Sequence, residues 1–123
     1  MTTPTADMRR AMAEAPVGDD LFREDPTVNL LQERSAEIFG RESALFVPSG
    51  TMANQIAVKL YTKPGQEVIV EAKSHMFDWE MAMMAAFSGC QARPVASRNG
   101  LLTWPEIESA ISPDVYYLSL IHI

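Results

Sequence analysis

The sequence predicts an α/β fold, a partial three-layer α-β-α arrangement around a mostly parallel sheet. Three observations lead to it. Strand-like apolar runs alternate with helical patterns from Ala44 onward, an order that builds right-handed β-α-β units. The run Glu67-Val68-Ile69-Val70-Glu71 reads as a strand buried on both faces, the type found in parallel sheets. Turn signals, Lys63-Pro64-Gly65 and Asn99-Gly100, fall between the runs rather than within them.

Each element has its own warrant. Residues 6–15 are rich in helix formers and stop at Pro16. A stronger helix begins at Asp25-Pro26, where Asp25 is a good N-cap and Pro26 suits the first helical position; Gly40 closes it. Leu30, Leu31, Ile38 and Phe39 are expected to form its buried stripe. The run from Ala44 to Val47 predicts a short strand that breaks at Pro48. Ser49-Gly50-Thr51 then opens a helix with Met52, Ile56 and Leu60 on one face. After the Glu67–Glu71 strand, an Ala- and Met-rich helix is expected from about Phe77 to Ser88, ended by Gly89, with Met81, Met83 and Met84 as core filler. Gln91 to Ala96 reads as a strand. Thr103-Trp104-Pro105-Glu106 is a capping-box start for a short helix reaching Ile111. Val115 to Ile121 is a last apolar strand with no helix after it, so the chain reads as the front part of a larger domain.

With 123 residues, 47% of them hydrophobic and 21% charged, the composition is that of an ordinary soluble globular domain. A net charge of −6, with no basic cluster beyond Arg9-Arg10, argues against nucleic acid as a partner. No apolar run reaches membrane-spanning length, and Asp7 and Glu14 interrupt any signal-peptide core. Cys90 is the only cysteine, which suits a reducing cytoplasm and leaves no cysteine-based metal cluster. His75 has no second histidine nearby, so a histidine metal site has little support.

Two segments carry chemistry. In Pro48-Ser49-Gly50-Thr51 a strand-like run gives way to a helix, and the first turn of a helix has N–H groups without intrahelical partners and a favourable dipole for anions. Gly50 lets backbone approach a ligand closely, and the Ser49 and Thr51 hydroxyls can donate to phosphate oxygens. The simpler alternative makes Ser49 an N-cap and nothing more. The loop lacks the lysine of a Walker phosphate loop and the three-glycine dinucleotide fingerprint, which points to a ligand with one phosphate. Ser49 also lacks a nucleophile elbow, so a serine hydrolase is disfavoured. The second segment, Ser74-His75-Met76-Phe77-Asp78-Trp79-Glu80, follows a strand, and ligands of open α/β sheets bind beyond strand C-termini. His75 there either stacks on a planar ring or takes part in proton transfer, or merely caps the next helix.

An ordered series of segments resembles the threonine aldolase/β-eliminating lyase family. The segments are Pro4-Thr5-x-x-Met8-Arg9-x-Ala11-Met12, Val17-Gly18-Asp19-Asp20, Glu24 to Asn29, Glu42 to Gln55, Pro64-Gly65-x-Glu67-Val68-Ile69-Val70, His75 to Glu80 and Ser88-Gly89. The resemblance implies the large domain of the aspartate-aminotransferase-like fold (pyridoxal-phosphate fold type I), of which this chain is the front part. It implies an N-terminal helical segment over 1–40, cofactor-domain β-α-β units over 41–117, and an unmatched tail over 118–123. It implies that Ser49, Gly50 and Thr51 hold the phosphate of pyridoxal 5′-phosphate, that His75 stacks on the pyridine ring as a catalytic residue, and that Trp79 lies at the substrate side-chain pocket. Family members cleave β-hydroxy-α-amino acids such as threonine or allo-threonine to glycine and an aldehyde, usually as homotetramers, and the composition adds the expectation of a cytoplasmic protein.

The chain also departs from the pattern. Family chains are much longer, and the lysine that tethers the cofactor, the aspartate for the pyridine nitrogen and the arginine for the substrate carboxylate lie beyond residue 123. Lys59, Lys63 and Lys73 are not at the matching place, the first strand with its serine is missing at the front, and Phe22 stands where tyrosine is common. The chain alone is therefore expected to be inactive. The alternatives are another β-eliminating lyase or a hydroxymethyltransferase of the same fold, or a non-catalytic phosphate-ligand-binding or assembly module.

Overall fold

The structure, a computed structural model, describes residues 2–113. The chain divides into two units, Met1–Phe46 and Val47–Ile123. The strand expected over Val115–Ile121 and the tail 118–123 lie outside the described residues.

In the first unit, helix α1 (Ala6–Glu14) starts where Thr5 Oγ1 accepts the Met8 N–H at 3.2 Å. A 3-10 turn, Asp20–Phe22, leads into helix α2 (Pro26–Phe39). Both ends of α2 follow from local chemistry: the Asp25 carboxylate takes the first free N–H groups, and Gly40 adopts φ 57°, the left-handed conformation that lets its N–H reach back to the Ala36 and Glu37 carbonyls. The apolar stripe expected on this helix is not buried: Leu30, Leu31, Ile38 and Phe39 are exposed and Ala36 is the buried position. Sequence periodicity says which face is apolar, but only a second packed element buries it. The strand expected from Ala44 to Val47 does not form either. A strand needs ladder partners, and here the Phe46 N–H is taken by the Gln32 side-chain oxygen at 2.9 Å.

In the second unit, helix α3 (Gly50–Tyr61) precedes strand β1 (Glu67–Glu71), then come the short helices α4 (His75–Asp78) and α5 (Met83–Ser88), strand β2 (Gln91–Val95) and helix α6 (Trp104–Ala110). The strands pair in parallel, Glu67 opposite Gln91 through Glu71 opposite Val95, as the alternation of elements requires. Helix α3 packs on α5, α5 and α6 pack on β2, and α4 packs on β1. Val58, Val70 and Met84 form the buried apolar cluster, flanked by Val68, Met76 and Ala92. An ion pair between a half-buried arginine and a buried glutamate ties the sheet: Arg93 on β2 donates two N–H bonds, 2.7 and 2.9 Å, to the Glu67 carboxylate on β1, and also reaches Ser112 Oγ at 2.8 Å. The Thr103–Glu106 capping box forms as expected.

Three expectations fail in this unit. Met52 and Leu60 are exposed, and the face of α3 that is buried carries Gln55 and Val58, roughly a third of a turn around the helix. The helix expected from Phe77 to Ser88 is broken into α4 and α5 by residues 79–82, where Met81 (φ 49°) and Ala82 (φ 57°) are both left-handed. Of the three methionines expected in the core, Met84 alone is there; Met81 is exposed and Met83 half-buried. The helix break accounts for this, because it turns Met81 outward while it carries Glu80 in.

Candidate functional site

Helix α3 begins with Ser49 in extended conformation, its Oγ accepting the Met52 N–H at 3.1 Å, while the Ser49 carbonyl accepts from Ala53. The N–H groups of Gly50 and Thr51 have no partner within the helix, as at any helix start. A Cβ built on Gly50 would meet no heavy atom within 4 Å, so the first turn is open on the side of Gly50. Gly50 borders a depression of about 330 Å³ lined also by Thr51, Ala53, Asn54 and His75. Two of the three residues expected at a phosphate, and the histidine expected beside a ring, thus share one concavity. Ser49 faces an adjoining, mainly apolar groove of about 420 Å³, which Thr51 borders as well. Trp79 is largely exposed and does not line the depression; its backbone N–H closes on the His75 carbonyl at 3.0 Å.

His75 is the first residue of α4, just past the carboxyl end of β1, and its side chain is 63% exposed. Ser74 occupies the cap position without a side-chain cap bond, so His75 is not the cap of this helix. Instead its Nδ1 lies 2.8 Å from Glu80 Oε1. The Glu80 side chain is fully buried and accepts two further bonds, from Asn54 Nδ2 at 2.7 Å and Gln55 Nε2 at 2.6 Å. Burial pushes the Glu80 carboxyl up, but the bonds from Asn54, Gln55 and His75 outweigh it and hold the group below its ordinary value. Glu80 therefore joins the second turn of α3 to His75 through one carboxylate.

Asn54, Gln55 and Glu80 are the part of the site that sequence reasoning missed. The available signal was a pair of amides, Asn54-Gln55, placed inside an apolar helical pattern. Buried amides need partners, so such a pair marks a polar contact elsewhere in the chain. Lys59, the lysine nearest this helix face, donates to the Phe87 carbonyl at 2.8 Å and borders the apolar groove, not the depression.

The β-eliminating lyase family model matches residues 1–121. The chain is 45% identical over 112 residues to an uncharacterized protein of Caenorhabditis elegans, covering 90% of this chain and 27% of that one. It is 39% identical over 115 residues to the low specificity L-threonine aldolase of Escherichia coli K12, covering 93% of this chain and 34% of the aldolase. Among solved structures, a putative aromatic amino acid β-eliminating lyase/threonine aldolase from Exiguobacterium superposes with a TM-score of 0.67 at 21% identity, over 94% of this chain and 33% of the other, and so shares its fold. The chain spans about a third of the length of the relatives it matches. Matched along nearly its whole length, this chain belongs to the β-eliminating lyase family.

Proposed function

We propose that this chain forms the phosphate-holding and ring-facing part of a pyridoxal-phosphate-dependent carbon–carbon lyase that cleaves β-hydroxy-α-amino acids, of the low-specificity L-threonine aldolase type. The observation that carries the proposal is the shared depression of Gly50, Thr51 and His75 in a chain of this family. The residues fit the group. Gly50 leaves the helix start open to an approaching phosphate, its N–H and that of Thr51 are free of helical partners, and the Thr51 hydroxyl stands beside them. The Ser49 hydroxyl accepts from Met52 and keeps its own O–H to donate. His75 offers a planar ring to the same space.

When bound, pyridoxal phosphate supplies the electron sink for breaking a bond at an amino-acid α-carbon. The residues of this chain would bind and orient it: the start of α3 would hold the phosphate, and His75 would face the ring. Trp79 is assigned to the substrate side-chain pocket on the family resemblance, which also supports a homotetramer, and the composition supports a cytoplasmic location. Among the described residues, no helix is long and apolar enough to cross a membrane.

The test uses pyridoxine 5′-phosphate, which lacks the aldehyde and so does not react with surface lysines. Equilibrium dialysis against the chain should show saturable binding that inorganic phosphate competes away. Gly50→Val should abolish it by filling the open space, and His75→Ala should weaken it about tenfold. Binding that does not saturate, or that Gly50→Val leaves unchanged, refutes the proposal.

A further inference from the structure

The segment between α4 and α5 is built at a cost. Its four residues, 79–82, replace what the composition predicts as continuous helix, and two of them, Met81 and Ala82, adopt left-handed conformations without being glycine. Strain of this kind persists only where surrounding structure over-determines it. What the detour achieves is the placement of one side chain, Glu80, whose carboxylate is removed from solvent and meets Asn54, Gln55 and His75. We propose that Glu80 is the positioning residue of the site: its carboxylate accepts the Nδ1 proton of His75, sets the tautomer of the ring and orients it against the start of α3.

The chemistry runs from the carboxylate outward. Amide nitrogens of Asn54 and Gln55 donate to both Glu80 oxygens, Asn54 to Oε1 and Gln55 to Oε2, a pattern suited to the ionised form. An ionised Glu80 has no proton to give, so the 2.8 Å contact requires that Nδ1 of His75 be the donor. In the neutral ring Nε2 then carries the lone pair and is free of this anchor. A histidine side chain 63% exposed would otherwise sample several orientations, and this charge-assisted bond selects one. The same carboxylate grips Asn54, which lines the depression with Gly50 and Thr51, so ring and helix start are held in fixed relation before any ligand arrives. The benefit for ring binding rests on the pyridoxal-phosphate proposal above; the tautomer does not.

The experiment is a long-range ¹H–¹⁵N correlation spectrum of the 123-residue chain at a pH where the His75 ring is neutral, with His75 assigned by comparison with His75→Asn. The expected result is the Nδ1–H tautomer with Nε2 unprotonated, the reverse of the preference of free histidine. Glu80→Leu, which leaves no oxygen to accept from Nδ1, should return the ring toward the Nε2–H form while the amide signals of β1 and β2 stay in place. It should also weaken pyridoxine 5′-phosphate about tenfold without changing inorganic phosphate binding. An Nε2–H tautomer in the unaltered chain overturns the proposal, and that spectrum decides even if the variant fails to fold. A tautomer that Glu80→Leu leaves unmoved in a folded chain also overturns it, reducing Glu80 to a structural tie for Asn54 and Gln55. If the tautomer behaves as expected but neither phosphate compound binds, the positioning role stands and the functional proposal falls.

Discussion

Helices α2 and α3 both begin with an oxygen-bearing cap, Asp25 and Ser49, yet one start is closed and the other open. At α2 the cap is an anion. Asp25 Oδ1 accepts from Thr27 and Val28, both at 2.9 Å, and Oδ2 accepts from Gly18 at 3.1 Å. Pro26 has no N–H to offer. Gly18 is pressed so close that an added Cβ would lie 2.3 Å from the Glu24 carbonyl oxygen. At α3 the cap is neutral and takes the single N–H of Met52, and the next residue is a glycine with open space before it. The first helix supplies its own negative charge to its dipole; the capping residue of the second brings none. A capping residue thus does more than start a helix, because its charge and its neighbours decide whether the helix end remains receptive.

Four substitutions test the contrast between the two helix starts. The largest effect is expected from Gly18→Val, which cannot keep the Gly18–Asp25 bond without moving the Glu24 carbonyl. It should destabilise the first unit by about 3 kcal/mol, read as lost α2 helicity by circular dichroism and amide exchange. Asp25→Asn comes next. It keeps a cap oxygen but removes the charge that three N–H groups address. Bonds from Val28 and then Gly18 hold the Asp25 carboxyl below its ordinary value of 3.8 against burial, with Thr27 adding to them. Because the folded value is depressed, the stabilisation is present above pH 3.8 and fades as pH falls through the lower folded value. Thermal unfolding of the original chain and Asp25→Asn should therefore differ at pH 7 and converge in strong acid.

Ser49→Ala should cost about 1 kcal/mol, the usual loss for a missing neutral cap, with no such pH dependence below neutrality. The smallest effect has the opposite sign. Gly50 is not in a left-handed conformation and has room for a Cβ, so Gly50→Ala should stabilise the chain by about 0.5 kcal/mol in thermal melts. The same change should weaken pyridoxine 5′-phosphate binding. A variant that is more stable and binds equally well would show that this helix start is not a ligand position.

Much of the secondary structure was legible because its causes lie within a few residues. Asp25-Pro26, Gly40, Ser49, Gly89 and the Thr103–Glu106 box mark helix ends through hydrogen bonds that span two to five positions. Glu67–Glu71 and Gln91–Val95 showed as strands through their composition and bounding turns. Gly50, Thr51 and His75, which line one depression, were singled out by residue type and by position after a strand-like run. The family resemblance rested on the same local segments.

Tertiary structure decided the rest. Which face of α3 is buried depended on α5, so Gln55 and Val58 went inside and Met52 stayed out. The extended run at Ala44–Val47 found a side chain instead of a strand, since pairing requires a partner that no local pattern supplies. Nothing in Phe77–Ser88 announces that the helix must break, because the reason is the capture of Glu80 by Asn54 and Gln55, which lie 26 and 25 residues earlier in the chain. Local pattern was enough for the caps and the strands, and it marked Gly50, Thr51 and His75 as candidates. Folding determined which polar groups share a buried carboxylate, since burying a charge is favourable only when donors from distant segments arrive together.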